Sequence, residues 1–596
     1  MRRSSDTMTL KTNIRLLICT IVLAFLLVGC GSNAERDTTQ EIPNQLSVEA
    51  EQTQAQSSTT PQMTATFAGD PIAQTATSLT EAFTTPATSG EAQIQSAPAG
   101  GVVAPGGPGG SAADSALAFN PSVQQASVPT PADMQFENPG TNPFYDTEDD
   151  NLSTFAMDVD TGSYTVTRSY LVGQNQVPPA DAIRPEEFVN YFDADYDSPS
   201  GDDAFAIYLD AAPAPFGYED HYEMRVGIQA RYIAPEDRDP VTLIFVIDVS
   251  GSMDMENRLV LVKESLALLL DGLREDDRVG IVVYSEVSRV LLDPTPATER
   301  ETIMNVIDSL QPESSTNAED GLRIGYQMAQ DTLIEGQNTR IILCSDGVAN
   351  VGNTGPDAIL ETIRAGVDDG ITLSAIGFGM GNYNDALMEQ LSNDGNGNYY
   401  YVDNLREARR VFVNNITGTL QVVGYDAKVQ VDFNPEVTDR YRLIGYENRA
   451  IADQDFRNDT VDAGEVGAGH SVTALYEIAL EAGAAQPNAD SVIATVFIRY
   501  EDAETREVVE ISRPITIADL RESMDDAPAT FRVQAAVAEF AELLRGSTWA
   551  EEGSYGAVLN LLESAQADLP ENNDALASSV EELITLVQAV IRLGDQ

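Results

Sequence analysis

The sequence is poor in the residues that build most zinc, redox and nucleic-acid sites. Among 596 residues there are 3 cysteines and 2 histidines, and His221 and His470 lie far apart. A cysteine–histidine zinc site and a disulfide framework are therefore excluded. Lysine is nearly absent, and 34 Lys and Arg face 94 Asp and Glu, which gives a formal net charge of -60. A charge of that sign repels phosphate backbones, so no nucleic-acid partner is expected.

The N-terminus has the pattern of an export signal. A basic start precedes an apolar run over 16–28, and this run is too short to span a bilayer comfortably. The sequence LVGC at 27–30 resembles the bacterial lipobox. This resemblance implies that residues 1–29 are a lipoprotein signal peptide and that Cys30 is lipidated after cleavage. An uncleaved signal anchor is the alternative.

The next segment, 30–136, is rich in Gln, Thr, Ser, Ala, Pro and Gly. Such a composition cannot bury enough apolar surface to offset the entropy of ordering, so we predict a disordered tether. As a flexible coil it would reach roughly 55 Å. We therefore expect an extracytoplasmic protein, held to a bacterial membrane by its lipid anchor only, at the cell surface or the periplasmic face.

The remaining sequence predicts a folded body with an α/β centre. From 240 to 420, apolar strands alternate with amphipathic helices, which is typical of a doubly wound, mostly parallel sheet. The flanks differ: 137–239 is predicted as α+β, 421–520 as β-rich and 521–596 as helical. Each flank supplies only about three or four strands, and so short a sheet must cover an apolar face to be stable. We therefore predict that both flanks pack into one β-rich domain, with the α/β domain inserted between them.

Oxygen-bearing side chains cluster at the ends of predicted strands. Asp248 ends an apolar strand predicted over 241–248, and Ser250 and Ser252 follow directly after it. Thr316 lies on a loop before a later helix, and Asp346 ends another parallel strand. The carboxyl ends of parallel strands share one sheet edge, where doubly wound folds bind their ligands. Hydroxyl and carboxylate oxygens suit a hard divalent cation, so we expect Mg²⁺ here, with Ca²⁺ and Mn²⁺ as alternatives.

This pattern resembles the metal-ion-dependent adhesion site (MIDAS) of von Willebrand factor A (VWA) domains, and its five positions are called the MIDAS residues below. Stretches within 142–161, 377–399 and 441–475 also resemble YfbK-type bacterial VWA proteins, so that the likeness covers 137–596. The resemblance implies an adhesion or scaffold role. It further implies that an acidic side chain of a protein or polymer ligand completes the coordination of the metal.

Two other function classes stay open at this point. One is a hydrolase in which the cation activates water, and the other is an assembly factor that works with a separate ATPase. No catalytic base stands beside the MIDAS residues in the sequence, and ATP is not available outside the cytoplasm. We therefore predict a binding protein rather than an enzyme, with no catalytic residues and no organic cofactor.

Overall fold

The computed structural model describes residues 134–594 except 202, 219, 315, 335, 348–355, 380–382, 482–487 and 552. The predicted signal peptide, Cys30 and nearly all of the predicted tether lie outside the described residues. Within the described part of the chain, no helix combines the length and the apolarity needed to cross a membrane.

The segment before the α/β domain forms short helices and the first strands. In chain order these are β1 (Tyr145–Asp146), β2 (Leu152–Ala156), α1 (Gly162–Arg168), α2 (Pro185–Val189), β3 (Phe205–Pro213) and β4 (His221–Ala230). Proline at the first position of α2 suits a helix start, because a first-turn residue needs no N–H donor. A π-helical turn, Ser169–Gly173, continues α1.

The α/β domain comes next. Its strands are β5 (Val241–Asp248), β6 (Arg278–Tyr284), β7 (Arg289–Pro296), β8 (Asn338–Ser345), β9 (Ile371–Phe378) and β10 (Tyr399–Val402). Its helices are α3 (Arg258–Gly272), α4 (Arg300–Ser309), α5 (Ala318–Asp331), α6 (Pro356–Asp368), α7 (Asp385–Asn393), α8 (Leu405–Arg409) and α9 (Ile416–Leu420). A π-helical turn, Arg410–Asn414, separates α8 from α9.

These strands form one sheet in the order β10-β9-β8-β5-β6-β7. Neighbouring strands are parallel except for β6 and β7, which are antiparallel. Every residue of β5 is buried, as its apolar sequence predicts for a centre strand. Ile244 and Val246 pack into the core on one face of the sheet, and Phe245 and Ile247 pack on the other. The predicted doubly wound α/β fold is confirmed.

The segment after the α/β domain supplies the remaining strands: β11 (Val422–Phe433), β12 (Thr438–Ile444), β13 (Gly464–Gly467), β14 (Ser471–Leu480), β15 (Val492–Asp502) and β16 (Val508–Thr516). One sheet has the order β1-β12-β14-β4-β3, and a second has the order β13-β11-β15-β16 with β2 also paired to β11. Both sheets therefore combine strands from before and after the α/β domain.

The pairing of β4 with β14 is long and regular. It runs antiparallel from Ser471 opposite Gln229 to Ala479 opposite His221. The shorter pairing of β2 with β11 joins the second sheet in the same way. The prediction that the two flanks build one β-rich domain is confirmed, while the domain boundaries given above stay predictions.

The chain ends in helices, as predicted for 521–596: α10 (Ala529–Arg545), α11 (Tyr555–Gln566) and α12 (Asp574–Gly594). Gly546 follows α10 with φ 69°, the left-handed conformation that ends many helices at glycine. Val580, Leu583 and Val587 of α12 are fully buried in a core that α10 and α2 share.

One buried arginine joins three parts of the molecule. Arg168, at the end of α1, forms ion pairs with Asp403 at 2.5 Å and Glu407 at 3.0 Å, both just after β10. It also pairs with Glu582 of α12 at 2.8 Å. The N-terminal flank, the α/β domain and the C-terminal helices therefore meet at a single guanidinium group.

Candidate metal centre

The candidate site lies at the carboxyl edge of the α/β sheet. Asp248 is the last residue of β5, and Asp346 directly follows β8. The two strands are parallel neighbours, with Ile247 opposite Cys344. They therefore end side by side and bring the two carboxylates to one place, as the sequence predicts.

The turn after β5 adds the two serine hydroxyls. The Ser250 N–H donates to Oδ1 of Asp248 at 2.7 Å, which folds the turn back over the end of the strand. The hydroxyl oxygens of Ser250 and Ser252 are 2.9 Å apart, and Ser252 Oγ donates to Oδ1 of Asp346 at 3.1 Å. Four of the five MIDAS residues are thus linked by one chain of hydrogen bonds.

The fifth MIDAS residue, Thr316, is half-buried on the loop between α4 and α5. This loop lies beside the serine turn, because the Glu313 N–H donates to the Val249 carbonyl at 2.5 Å. A Cβ on Gly251 would stand 3.1 Å from the Glu313 carbonyl oxygen, so the turn and the loop approach closely where glycine stands. Within the described residues, no hydrogen bond joins Thr316 to the other four.

Sequence reasoning missed one residue of the site, Arg258. The residue is 4% exposed, and its Nη1 donates to Oδ2 of Asp346 at 2.7 Å. It is packed tightly against the loop after β9, where a side chain on Gly379 would clash with it. Arg258 is the first basic residue after β5, directly at the start of α3, which is the signal that could have drawn attention to it.

Burial shapes the electrostatics of the site. Asp248 is fully buried, and desolvation, helped by the nearby charge of Asp346, raises the pKa of Asp248 to about 7. Burial also raises the pKa of Asp346, although Arg258 opposes that shift. The partners of the Asp248 carboxylate are neutral donors, the Ser250 N–H and, at 3.3 Å, the Ser345 hydroxyl. A cation supplied from solution would favour the ionised form of Asp248, so the donors present fit a divalent metal.

The cysteine of β8 and the two histidines take no part in the hydrogen-bonded chain of this site within the described residues. Cys344 is buried inside β8, and burial raises the pKa of its thiol, as suits a core residue. His221 lies on β4, where Nδ1 is 2.6 Å from Oε1 of Glu477. His470 precedes β14, and burial lowers its pKa to about 4.

Family models match three parts of the chain. The model described as von Willebrand factor type A domain matches residues 242–415. The model described as uncharacterized protein YfbK, C-terminal, matches residues 418–593, and one described as von Willebrand factor matches residues 130–222. The first of these spans the sheet that carries the candidate site.

Similar proteins extend this result. The Escherichia coli (strain K12) uncharacterized protein YfbK is 36% identical over 467 residues, which is 74% of this chain and 80% of that protein. Inter-alpha-trypsin inhibitor heavy chain H3 of Bos taurus is 31% identical over 238 residues, or 38% of this chain, and the match spans only 25% of that longer protein. Among solved structures, the von Willebrand factor type A protein from Catenulispora acidiphila is 14% identical, covers 63% of this chain and 89% of its own, and has a TM-score of 0.39.

Proposed function

Because this chain belongs to the family of the E. coli protein YfbK and contains a von Willebrand factor type A domain, we propose that it binds a protein or polymer ligand through a divalent cation. The five MIDAS residues would hold the ion. The observation that carries the proposal is the hydrogen-bonded chain from Asp248 through both serines to Asp346 at one sheet edge.

The charge balance of the site favours a ligand that is an anion. Arg258 offsets the charge of Asp346, so Asp248 is left as the main negative group among the MIDAS residues. A doubly charged cation would then keep an excess positive charge. A carboxylate on a partner surface would neutralise that excess and fill an open position on the metal. Mg²⁺ is the ion we propose, since the donors are hard oxygens and water would complete its octahedron.

We further propose that the protein works outside the cytoplasm. Lipidation at Cys30 would anchor it, and the segment 30–136 would let the folded body stand roughly 55 Å from the bilayer. The role is adhesion or scaffolding, with a membrane contact through lipid only and no catalytic step.

Calorimetric titration of the full-length protein with Mg²⁺ tests the metal. We expect a binding event in the wild type that Asp248→Asn abolishes and that Ser252→Ala weakens at least tenfold. Ser578→Ala, an exposed serine on α12, is the matched control and should bind as the wild type does. Equal Mg²⁺ binding by the wild type and Asp248→Asn would overturn the proposal.

A crosslinking pull-down from intact cells tests the ligand. A true MIDAS ligand should be captured by the wild type in Mg²⁺, and it should be lost both with EDTA and with Asp248→Asn. A partner that persists under both conditions binds elsewhere on the protein. If every captured partner persists in this way, the result argues against ligand binding through the metal.

A further inference from the structure

A second group of carboxylates lies outside the α/β domain. Asp426 on β11, Asp462 before β13 and Glu465 on β13 each place a carboxylate oxygen within 4.8 Å of those of the other two. The strands β11 and β13 are antiparallel neighbours, with Ala427 opposite Gly464. The backbone therefore holds the three side chains together.

The backbone around Asp426 has an irregular conformation that helps to hold the three carboxylates together. Asp426 sits at an irregularity in the pairing of β11 with β15 and has φ 51°, a left-handed conformation that is uncommon outside glycine. Its Oδ1 accepts a hydrogen bond from the Ala463 N–H at 3.2 Å, which fixes the loop that carries Asp462. The carboxylates are therefore attached to an ordered frame.

The burial of Glu465 is a second observation that points to a cation at this cluster. The residue is 9% exposed, and its Oε1 makes no hydrogen bond within the described residues. Glu465 and Asp462 both line a cavity of about 200 Å³ that opens beside the cluster. A buried carboxylate without a donor is costly to keep ionised, so it either holds a proton or binds a cation.

Within the described residues, no ion pair joins a basic side chain to any of the three carboxylates, although Arg340, Lys428 and Arg506 lie near enough to oppose part of their charge. Lys428 donates from Nζ to the Asn458 carbonyl at 2.7 Å, and Arg340 donates to the Ser374 hydroxyl at 2.7 Å. Burial and the charges of Asp462 and Asp426 raise the pKa of Glu465 well above its ordinary range, and burial raises the pKa of both aspartates. The three carboxylates repel one another, and the nearby basic groups offset that repulsion only in part, which leaves room for a bound cation.

We propose that Asp426, Asp462 and Glu465 bind one Ca²⁺ ion, at a site separate from the MIDAS residues. Ca²⁺ binds oxygen at about 2.3–2.6 Å, so two of its ligand oxygens lie at most about 5 Å apart, and carboxylate oxygens within 4.8 Å of one another are compatible with that spacing. Water from the cavity would complete the six to eight ligands that Ca²⁺ takes. The ion would tie the loop before β13 to β11, within the β-rich domain.

Terbium luminescence in full-length Asp248→Asn protein tests this proposal, because that background removes the carboxylate on which the MIDAS metal depends. Tb³⁺ replaces Ca²⁺, and Tyr425 next to the site can sensitise its emission. We expect emission that Ca²⁺ displaces. Glu465→Gln or Asp462→Asn should lower the Ca²⁺ affinity at least 100-fold, and Glu436→Gln, an exposed acid outside the cluster, should leave it unchanged.

Thermal unfolding with and without Ca²⁺ separates binding from misfolding. Ca²⁺ should raise the midpoint of the Asp248→Asn protein and should not raise it after Glu465→Gln is added. Asp462 is exposed, so Asp462→Asn should fold even if the buried variant does not. The proposal is wrong if Asp462→Asn leaves the Ca²⁺ affinity unchanged, or if Mg²⁺ displaces Tb³⁺ as well as Ca²⁺ does.

Discussion

Arg258 Nη1 lies 2.7 Å from Oδ2 of Asp346, so a fixed positive charge stands beside a carboxylate of the candidate metal centre. Both side chains are almost completely buried, at 5% and 4% exposure, so water screens the pair only weakly. Arg258 therefore has two opposite effects on a metal. It orients Asp346, and its charge repels any cation bound nearby.

We expect the repulsion to dominate, because Ser252 also holds Asp346 in place. Arg258→Gln should therefore tighten Mg²⁺ binding at least about tenfold, since a unit charge a few Å away contributes about 1 kcal/mol even in water and more in a buried site. The same change should weaken the binding of an acidic ligand to the loaded site, since the excess positive charge falls. Calorimetry measures the first effect.

Arg323→Gln is the matched control for Arg258, since Arg323 is a 61% exposed arginine of α5 that pairs only with Asp320 among the described residues. It should leave the Mg²⁺ affinity unchanged. Weaker Mg²⁺ binding by Arg258→Gln would mean that Arg258 acts mainly by positioning Asp346.

A second prediction concerns the anchor. Cys30→Ser should release the protein from membranes, because the predicted attachment is through lipid alone. Several acyl chains are needed for a stable hold, and the substitution removes the residue on which the lipobox places them. Membrane flotation measures the bound fraction, and Ser32→Ala is the neighbouring control. A variant that still floats with membranes would point to an uncleaved signal helix.

The sequence predicts the α/β domain well for a clear physical reason. Strands such as β5 are buried on both faces, so their apolar runs need no partner to be recognised. The strand β12 lies within the segment predicted as β-rich, but its own pattern is weak because Arg440 and Arg442 make its sequence look polar. In the structure Arg442 is buried between Glu477 of β14 and Glu542 of α10. The partners that allow this burial come from distant segments, and a local pattern does not show them.

The same limit applies to the two candidate sites. The MIDAS residues sit at strand ends, so topology alone brings Asp248 and Asp346 together. Asp426 and Glu465 approach only because β11 pairs with β13, and β13 is a four-residue strand with glycine at both ends. Its sequence carries no strand signal, so the carboxylate cluster could not be predicted.

A third prediction concerns stability and pH. Glu223 on β4 is buried, and its Oε1 makes no hydrogen bond within the described residues. Burial, together with the charges of Glu477 and Glu539, raises its pKa from 4.5 to about 8, against the opposing charge of Arg442. The folded state holds this proton more tightly than the unfolded chain does. Its contribution to stability is therefore complete below about pH 4.5 and is lost as the pH rises through 8.

Glu223→Gln keeps the side chain neutral at every pH. The variant should match the wild type near pH 5 and exceed it at pH 9, by as much as about 4 kcal/mol in the free energy of unfolding. Urea unfolding at pH 5, 7 and 9 measures the difference. The exposed Glu436→Gln should show no such trend, and a constant difference between Glu223→Gln and the wild type would refute the assignment.

A fourth prediction concerns Arg168, whose ion pairs connect the N-terminal flank, the α/β domain and the C-terminal helices. Arg168→Met leaves the carboxylates of Asp403, Glu407 and Glu582 without their shared partner, and Glu407 is 1% exposed. Removing one member of a buried ion pair costs about 3–5 kcal/mol, because the remaining charge stays buried. We expect a loss of that size in the free energy of unfolding, measured by urea denaturation.

Arg409→Met, an exposed arginine of α8, is the control for the loss of charge and should cost little. Adding Asp403→Asn to Arg168→Met should recover part of the loss, since Arg168 is the only basic residue that pairs with Asp403 among the described residues. The Mg²⁺ affinity should stay unchanged in Arg168→Met, because the MIDAS residues lie at the ends of β5 and β8 and on the loop before α5, whereas Arg168 binds residues that follow β10. If the Mg²⁺ affinity falls together with stability, the ion pairs of Arg168 and the metal centre are coupled. The flanks would then influence metal binding as well as support the α/β domain.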